Sequence, residues 1–165
     1  MSAKDDFFKK VKENRNSGEE HAERVRQDIT LFRSRLSELA EQITQWLQGS
    51  GIEITRTETL LNDDSVKQFP GNGTDGTYKT PQVNLKNGEK VAELKAECLY
   101  GAGLGCVSLI ITNPYRAPSK TTFKLYMNIK NQPEEGWMIK IEHMPIHHAK
   151  LLTEEIFFGA IEALA

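Results

Sequence analysis

The chain has 165 residues, of which 38% are hydrophobic and 27% charged, and its formal net charge is -2. This length suits one domain, which we expect over residues 1–165, and the composition excludes a disordered chain. The near-neutral balance argues against a nucleic-acid partner, because nucleic-acid-binding domains usually carry a basic excess. No apolar stretch reaches the length of a signal-peptide core or a membrane span. We therefore expect a cytoplasmic protein with no membrane partner.

Residues 1–18 are predicted to form a short N-terminal helix or arm. Mixed charges surround Phe7, Phe8 and Val11 in this segment. The asparagines, serine and glycine over 14–18 favour turns over helix interiors. We therefore expect a break in the chain before the next element.

The strongest pattern is a run of apolar residues at alternating steps of three and four, which places them on one side of a helix. Its members are Ala22, Val25, Ile29, Phe32, Leu36, Leu39, Ile43 and Trp46. We predict a long helix over residues 19–49 that ends near Gly49 and Gly51.

The two halves of this apolar stripe predict different contacts. Toward the C-terminal end Ala40 and Leu47 widen the apolar face, and this half is expected to lie on a sheet. The first half is narrow and flanked by arginines. A dimer interface formed by Val25, Ile29 and Phe32 is therefore one interpretation of that half.

Residues 52–143 alternate apolar and polar positions, which is typical of an antiparallel meander with one solvated face. The Asn-Gly pair at 87–88 predicts a hairpin turn within it. After that turn, buried positions are predicted at Ala92, Leu94, Ala96, Cys98 and Tyr100. Residues 62–77 are rich in glycine and are expected to form a long loop.

Residues 150–164 predict a C-terminal helix whose first turn is capped by the side chain of Thr153. The order of elements is one long helix, several strands and a final helix. We therefore predict an α+β fold, with the N-terminal and C-terminal helices packed on one face of a curved antiparallel sheet of about five or six strands.

Few residues in the chain have the types and spacing that are typical of metal-binding or catalytic sites. Glu142, His143, His147 and His148 form a cluster of metal-ligand types, but their spacing matches no zinc motif and Pro145 interrupts them. We expect loop histidines without a metal, and no cofactor. No catalytic motif is recognised, so we predict that the chain is not an enzyme.

The chain has two cysteines, Cys98 and Cys106. Two reduced thiols are expected in a cytoplasmic protein, and a disulfide across a hairpin is the alternative. Because Cys98 falls on the predicted buried face, we expect an inert structural thiol at that position.

These observations favour a function in binding another protein. We predict a small module that masks its partner, in the manner of a bacterial immunity protein or antitoxin that neutralises a toxin. The contact surface would combine the long loop with the solvated sheet face, and its predicted residues are Phe69, Asn72, Asp75, Glu93, Lys95, Glu97, Lys124 and Tyr126. Tyr126 ranks first because aromatic residues are enriched among binding hot spots.

Two alternatives from other functional classes stay open on the sequence alone. The first is a homodimeric assembly protein that pairs through residues 22–46. The second is a small-ligand-binding or enzymatic domain with a pocket between sheet and helix. A cavity lined by Cys98, Tyr100, Trp137 and His143 would favour the second.

Overall fold

The computed structural model describes residues 2–68, 75–129 and 136–165, and within these ranges the fold is α+β, as predicted. Its elements in chain order are α1 (Ala3–Trp46), β1 (Glu53–Asn62), α2 (Asp64–Lys67), β2 (Thr77–Asn87), β3 (Lys90–Tyr100), β4 (Leu104–Thr112), β5 (Lys120–Asn128), β6 (Met138–Ile141), β7 (Lys150–Leu151) and α3 (Glu154–Ala160). Short 3-10 turns cover Ile146–His148 and Glu162–Leu164.

The strands form one antiparallel sheet in which each strand pairs with the next along the chain, from β1 to β7. The predicted antiparallel meander is therefore confirmed, but the sheet has seven strands instead of five or six. The additional strand is β7, where Leu151 pairs with Met138 of β6. Two residues are too few to show an alternating pattern, so the sequence did not indicate this strand.

Helix α1 is continuous and contains no break at residues 14–18, so that prediction was wrong. Its N-terminus is capped by Ser2, whose hydroxyl accepts a hydrogen bond from the backbone N–H of Asp5. Gly18 in a helix interior costs about 1 kcal/mol relative to alanine. That cost is tolerated because extending a helix that is already packed avoids the unfavourable nucleation step.

The core lies between one face of the sheet and the two longer helices. The predicted stripe of α1 is buried from Ala22 to Ile43, and Trp46 is half-buried. From Val25 onward the stripe shares one apolar cluster with the inward side chains of the sheet. Helix α3 joins the same cluster through Phe157, whose ring lies 5.2 Å from that of Trp46. Both helices therefore cover the same face, as the sequence predicted, and we call the opposite face the outer face.

The first half of the stripe is as deeply buried as the second. Val25, Ile29 and Phe32 lie in the core of a single chain, so they do not form the exposed surface that a dimer interface requires. The ring of Phe32 packs directly against the backbone of Gly105 in β4. A Cβ at Gly105 would lie 3.0 Å from the ring of Phe32 and 2.9 Å from the Cβ of Met127.

The segments that flank the sheet differ in detail from the sequence predictions. The predicted loop over 62–77 contains the one-turn helix α2, whose N-terminus is capped by the side chain of Asp63. The C-terminal helix begins at Glu154 instead of residue 150, because β7 precedes it. The predicted cap is confirmed, since the hydroxyl of Thr153 accepts a hydrogen bond from the backbone N–H of Ile156 at 3.2 Å.

Truncation of Phe32 tests how far the fold depends on the first half of the stripe. We expect Phe32→Ala to lower the free energy of unfolding by about 3–5 kcal/mol, because it leaves a cavity between α1 and the sheet. Leu31→Ala is the matched control, since Leu31 is 44% exposed and adjacent in the same helix. Urea unfolding monitored by circular dichroism measures both variants. A similar loss for the two would show that α1 is not anchored at Phe32.

Candidate interaction surfaces

The outer face of the sheet collects four of the residues predicted for partner binding. Glu93, Lys95 and Glu97 alternate along β3 and point away from the buried Leu94. Lys95 pairs with Ser108 of β4, and Ser108 pairs with Lys124 of β5. The four residues therefore share one face, as expected, and all are half-buried instead of fully exposed.

Two of these four side chains, Glu93 and Lys124, bond to neighbouring polar groups of the protein. Glu93 accepts a hydrogen bond from the side-chain amide of Gln82 at 2.9 Å. Lys124 donates to the hydroxyl of Ser108 at 2.7 Å, and its ammonium lies 3.9 Å from the carboxylate of Glu142. A partner that binds here has to compete with these internal contacts.

Tyr126, the residue ranked first for partner binding, is not exposed on the outer face. Tyr126 is buried, because the segment that contains Ile146 and Leu151 packs over it together with Cys106 and Met138. Burial also raises the pKa of Tyr126 to about 12. The prediction of an exposed hot spot at Tyr126 was therefore wrong.

The predicted contacts in the loop before β2 fall into two groups. Phe69 and Asn72 lie outside the described residues. Asp75 is exposed, and its carboxylate accepts hydrogen bonds from the hydroxyl and the backbone N–H of Thr77. These hydrogen bonds hold the pKa of Asp75 below its usual value. The side chain of Asp75 thus fixes the start of β2 at Thr77, and its carboxylate remains exposed to solvent.

The first part of α1 is an exposed surface that the sequence analysis did not select. Residues 3–20, which we call the arm, are exposed throughout and extend for about 27 Å. Phe7 and Phe8 are 64% and 58% exposed, and Val11 is also exposed. The signal was present, because Phe8 and Val11 continue the three-four spacing of the buried stripe toward the N-terminus.

Charges of both signs surround this apolar patch. Lys4, Phe8, Val11 and Arg15 follow helical spacing along one side, and the Lys4 ammonium lies 5.5 Å from the centre of the Phe8 ring. The rings of Phe7 and Phe8 are 6.3 Å apart. The opposite side of the helix carries Asp6 and Glu13 together with Lys9 and Lys10. On the apolar side, Lys4 and Arg15 flank Phe8 and Val11, and Glu19 follows Arg15 one turn later.

A buried carboxylate, Asp63, forms a second feature that the sequence analysis missed. One oxygen accepts hydrogen bonds from the backbone N–H and the hydroxyl of Ser65. The other accepts from the phenol of Tyr78 and from the backbone N–H of Leu99. Burial and the neighbouring carboxylate raise the pKa of Tyr78, so its phenol stays a hydrogen-bond donor.

The histidine cluster after β6 lies on the surface. His143, His147 and His148 are exposed, and the rings of the last two are 4.5 Å apart. In the three described ranges, no group of three or more histidine, cysteine or acidic side chains is arranged to hold a metal ion.

A groove of about 350 Å³ opens between β6 and α3. Its lining residues are Phe123, Ile139, Lys140, Ile141, Met144, His148, Lys150, Ile156, Gly159 and Ala160. The four residues named for the ligand-binding alternative, Cys98, Tyr100, Trp137 and His143, are not among them. The groove is therefore different from the polar cavity that would favour that alternative.

Comparison of the chain with models of known protein families, with curated proteins and with solved structures finds no match. None of the helices in the described part of the chain combines the length and apolar character needed to cross a membrane.

Replacing Asp63 tests its role as the acceptor that joins α2, β2 and β3. We expect Asp63→Asn to lower the free energy of unfolding by about 1–3 kcal/mol, because an amide nitrogen cannot accept the hydrogen bonds of a carboxylate oxygen. Asp64→Asn is the control, since Asp64 is exposed and its ion pair with Lys67 is weak. Chemical denaturation compares the two, and equal stabilities would contradict this role.

Proposed function

We propose that the chain is a protein-binding module and that it contacts its partner through the arm of α1. The observation that carries this proposal is the exposure of Phe7 and Phe8 next to one another on a helix that leaves the core. Large exposed aromatic patches are typical of binding surfaces, because a partner that buries them gains a large apolar area.

Continuity of the helix supports the proposal on energetic grounds. An isolated helix the length of the arm would be marginally stable in water. Here residues 22–47 are packed in the core and nucleate the helix, so the arm holds its shape before binding. Association then costs less conformational entropy than binding of a disordered segment.

The apolar side of the arm indicates the kind of surface that the partner presents. Phe8 and Val11 fit an apolar groove, with acidic groups of the partner opposite Lys4 and Arg15, in the mode of an amphipathic helix bound in a groove. Glu93, Lys95, Glu97 and Lys124 of the outer face would add a second contact zone for a partner large enough to reach it.

We favour a function in which the chain binds its partner and covers the partner's active surface. The arm and the outer face offer apolar and charged side chains for such binding, and the sequence contains no recognised catalytic motif. A bacterial immunity protein or antitoxin that occludes a toxin is the specific hypothesis. It is supported by the type of surface alone, and the identity of the captured partner tests it.

The first experiment compares the wild-type chain with the double variant Phe7→Ser, Phe8→Ser. Each is used as bait in its native cells, and a protein recovered by the wild type is purified and titrated against both baits by calorimetry. We expect the double variant to bind at least about tenfold more weakly, because it loses the two apolar anchors. Its thermal stability should match that of the wild type, since both positions are exposed.

Leu60→Ser is the matched control for this experiment. Leu60 is 64% exposed, like Phe7, but it lies on β1 away from the arm. Binding by the control should equal that of the wild type. If the partner binds the arm variant and the wild type equally well, the proposal is wrong.

Light scattering tests whether the partner is a second copy of the chain. A single copy has a mass of 18.7 kDa. We expect this mass for the purified wild type at high concentration, because Val25, Ile29 and Phe32 are already buried in one chain. A doubled mass that the arm variant abolishes would make self-association the function of the arm.

A further inference from the structure

Cys98 and Cys106 lie directly opposite each other on the neighbouring strands β3 and β4. Both side chains belong to the small apolar cluster on the outer face that also contains Tyr126 and Met138. Both are free thiols in the structure. They are also the only two cysteines in the sequence.

A β-bulge in β3 brings the two thiols to the same face. The register shifts between Ala96 and Cys98, so that one more residue is used on β3 than on β4. Without the extra residue, simple alternation would place Cys98 with Ala96 on the core face, as the sequence predicted. The bulge moves Cys98 to the outer face and gives the core position to Leu99, which is buried.

The spacing of paired strands allows a covalent bond between the two sulfurs. Directly opposite residues of antiparallel strands have Cα atoms about 4.5–5.5 Å apart. Disulfides have Cα separations of about 4.4–6.8 Å. The pairing of Cys98 with Cys106 is therefore compatible with a disulfide between β3 and β4.

The surroundings also favour reaction at one of the two sulfurs. The hydrogen bond from Cys98 and the ammonium of Lys124 lower the pKa of Cys106, which favours its thiolate. The same thiol-thiol hydrogen bond raises the pKa of Cys98, so Cys98 keeps its proton. Because Cys106 is buried and Cys98 is half-buried, the pair is open to a small oxidant and closed to a bulky one.

We propose that Cys98 and Cys106 form an oxidation site for hydrogen peroxide that closes a reversible disulfide between β3 and β4. In the first step the Cys106 thiolate attacks one peroxide oxygen. The O–O bond breaks, Cys106 becomes a sulfenic acid and hydroxide leaves. The Cys98 sulfur then attacks the sulfenic sulfur, and the S–S bond forms as the hydroxyl leaves as water with the Cys98 proton. Two thiols and one peroxide thus give one disulfide and two waters.

The test treats the folded full-length chain with hydrogen peroxide and follows intact mass and free thiols. We expect both thiols to be lost together, with a mass decrease of two hydrogen atoms and no change in oligomeric state. Proteolysis without reductant should yield one peptide pair joined through Cys98 and Cys106. Addition of dithiothreitol should restore both thiols.

Single variants test the order of the two steps. In Cys98→Ser the sulfenic acid on Cys106 cannot be resolved, so a dimedone adduct should accumulate there. In Cys106→Ser the remaining thiol should react at least about tenfold more slowly, because burial and the carboxylates of Asp63 and Glu97 still raise the pKa of Cys98. Equal reaction rates in the two variants would contradict the assignment of Cys106 as the attacking sulfur.

Three results would overturn the proposal for the wild-type chain. The first is that both thiols resist peroxide in the folded state and react only after unfolding in urea. The second is oxidation of one cysteine to a sulfinic acid while the other stays free. The third is a disulfide between two copies of the chain.

Discussion

The end of β3 depends on hydrogen bonds to the buried carboxylate of Asp63. Strand β2 pairs with β3 only as far as Val83 and Leu94, so the rest of β3 lacks a neighbouring strand on that side. Backbone groups of a buried strand end need hydrogen-bond partners. Asp63 accepts from the N–H of Leu99, and Ser65 accepts from the N–H of Tyr100. The two side chains thus replace the missing strand and hold the bulged end of β3 against α2.

Periodic patterns predicted the parts of the fold in which many residues repeat one geometry. The stripe from Ala22 to Trp46 identified the buried side of α1, and alternation along β3 identified the outer face up to Glu97. The bulge is a single added residue, and nothing in the local sequence marks it, so Cys98 was assigned to the wrong face. Burial of Tyr126 depends on residues 146–151, which no local pattern connects to β5.

The outer face and the arm differ in how many of their side chains already bond to other groups of the protein. On the outer face, Glu93 and Lys124 are hydrogen-bonded to neighbouring side chains and half-buried. On the arm, the rings of Phe7 and Phe8 neighbour one another, the Lys4 ammonium lies near the Phe8 ring, and both side chains are largely exposed. The N-terminal segment was predicted as a separate short helix or arm because the glycine and asparagines over 14–18 favour a break, whereas the spacing of Phe8 and Val11 continues that of the stripe.

The unbroken length of α1 has a hydrodynamic consequence. The helix spans about 65 Å, whereas a compact domain of this size has a diameter nearer to about 30–40 Å. A single copy therefore tumbles more slowly and diffuses with more friction than a sphere of equal mass. It should elute early from a gel-filtration column calibrated with globular standards, so elution volume alone would overstate its oligomeric state.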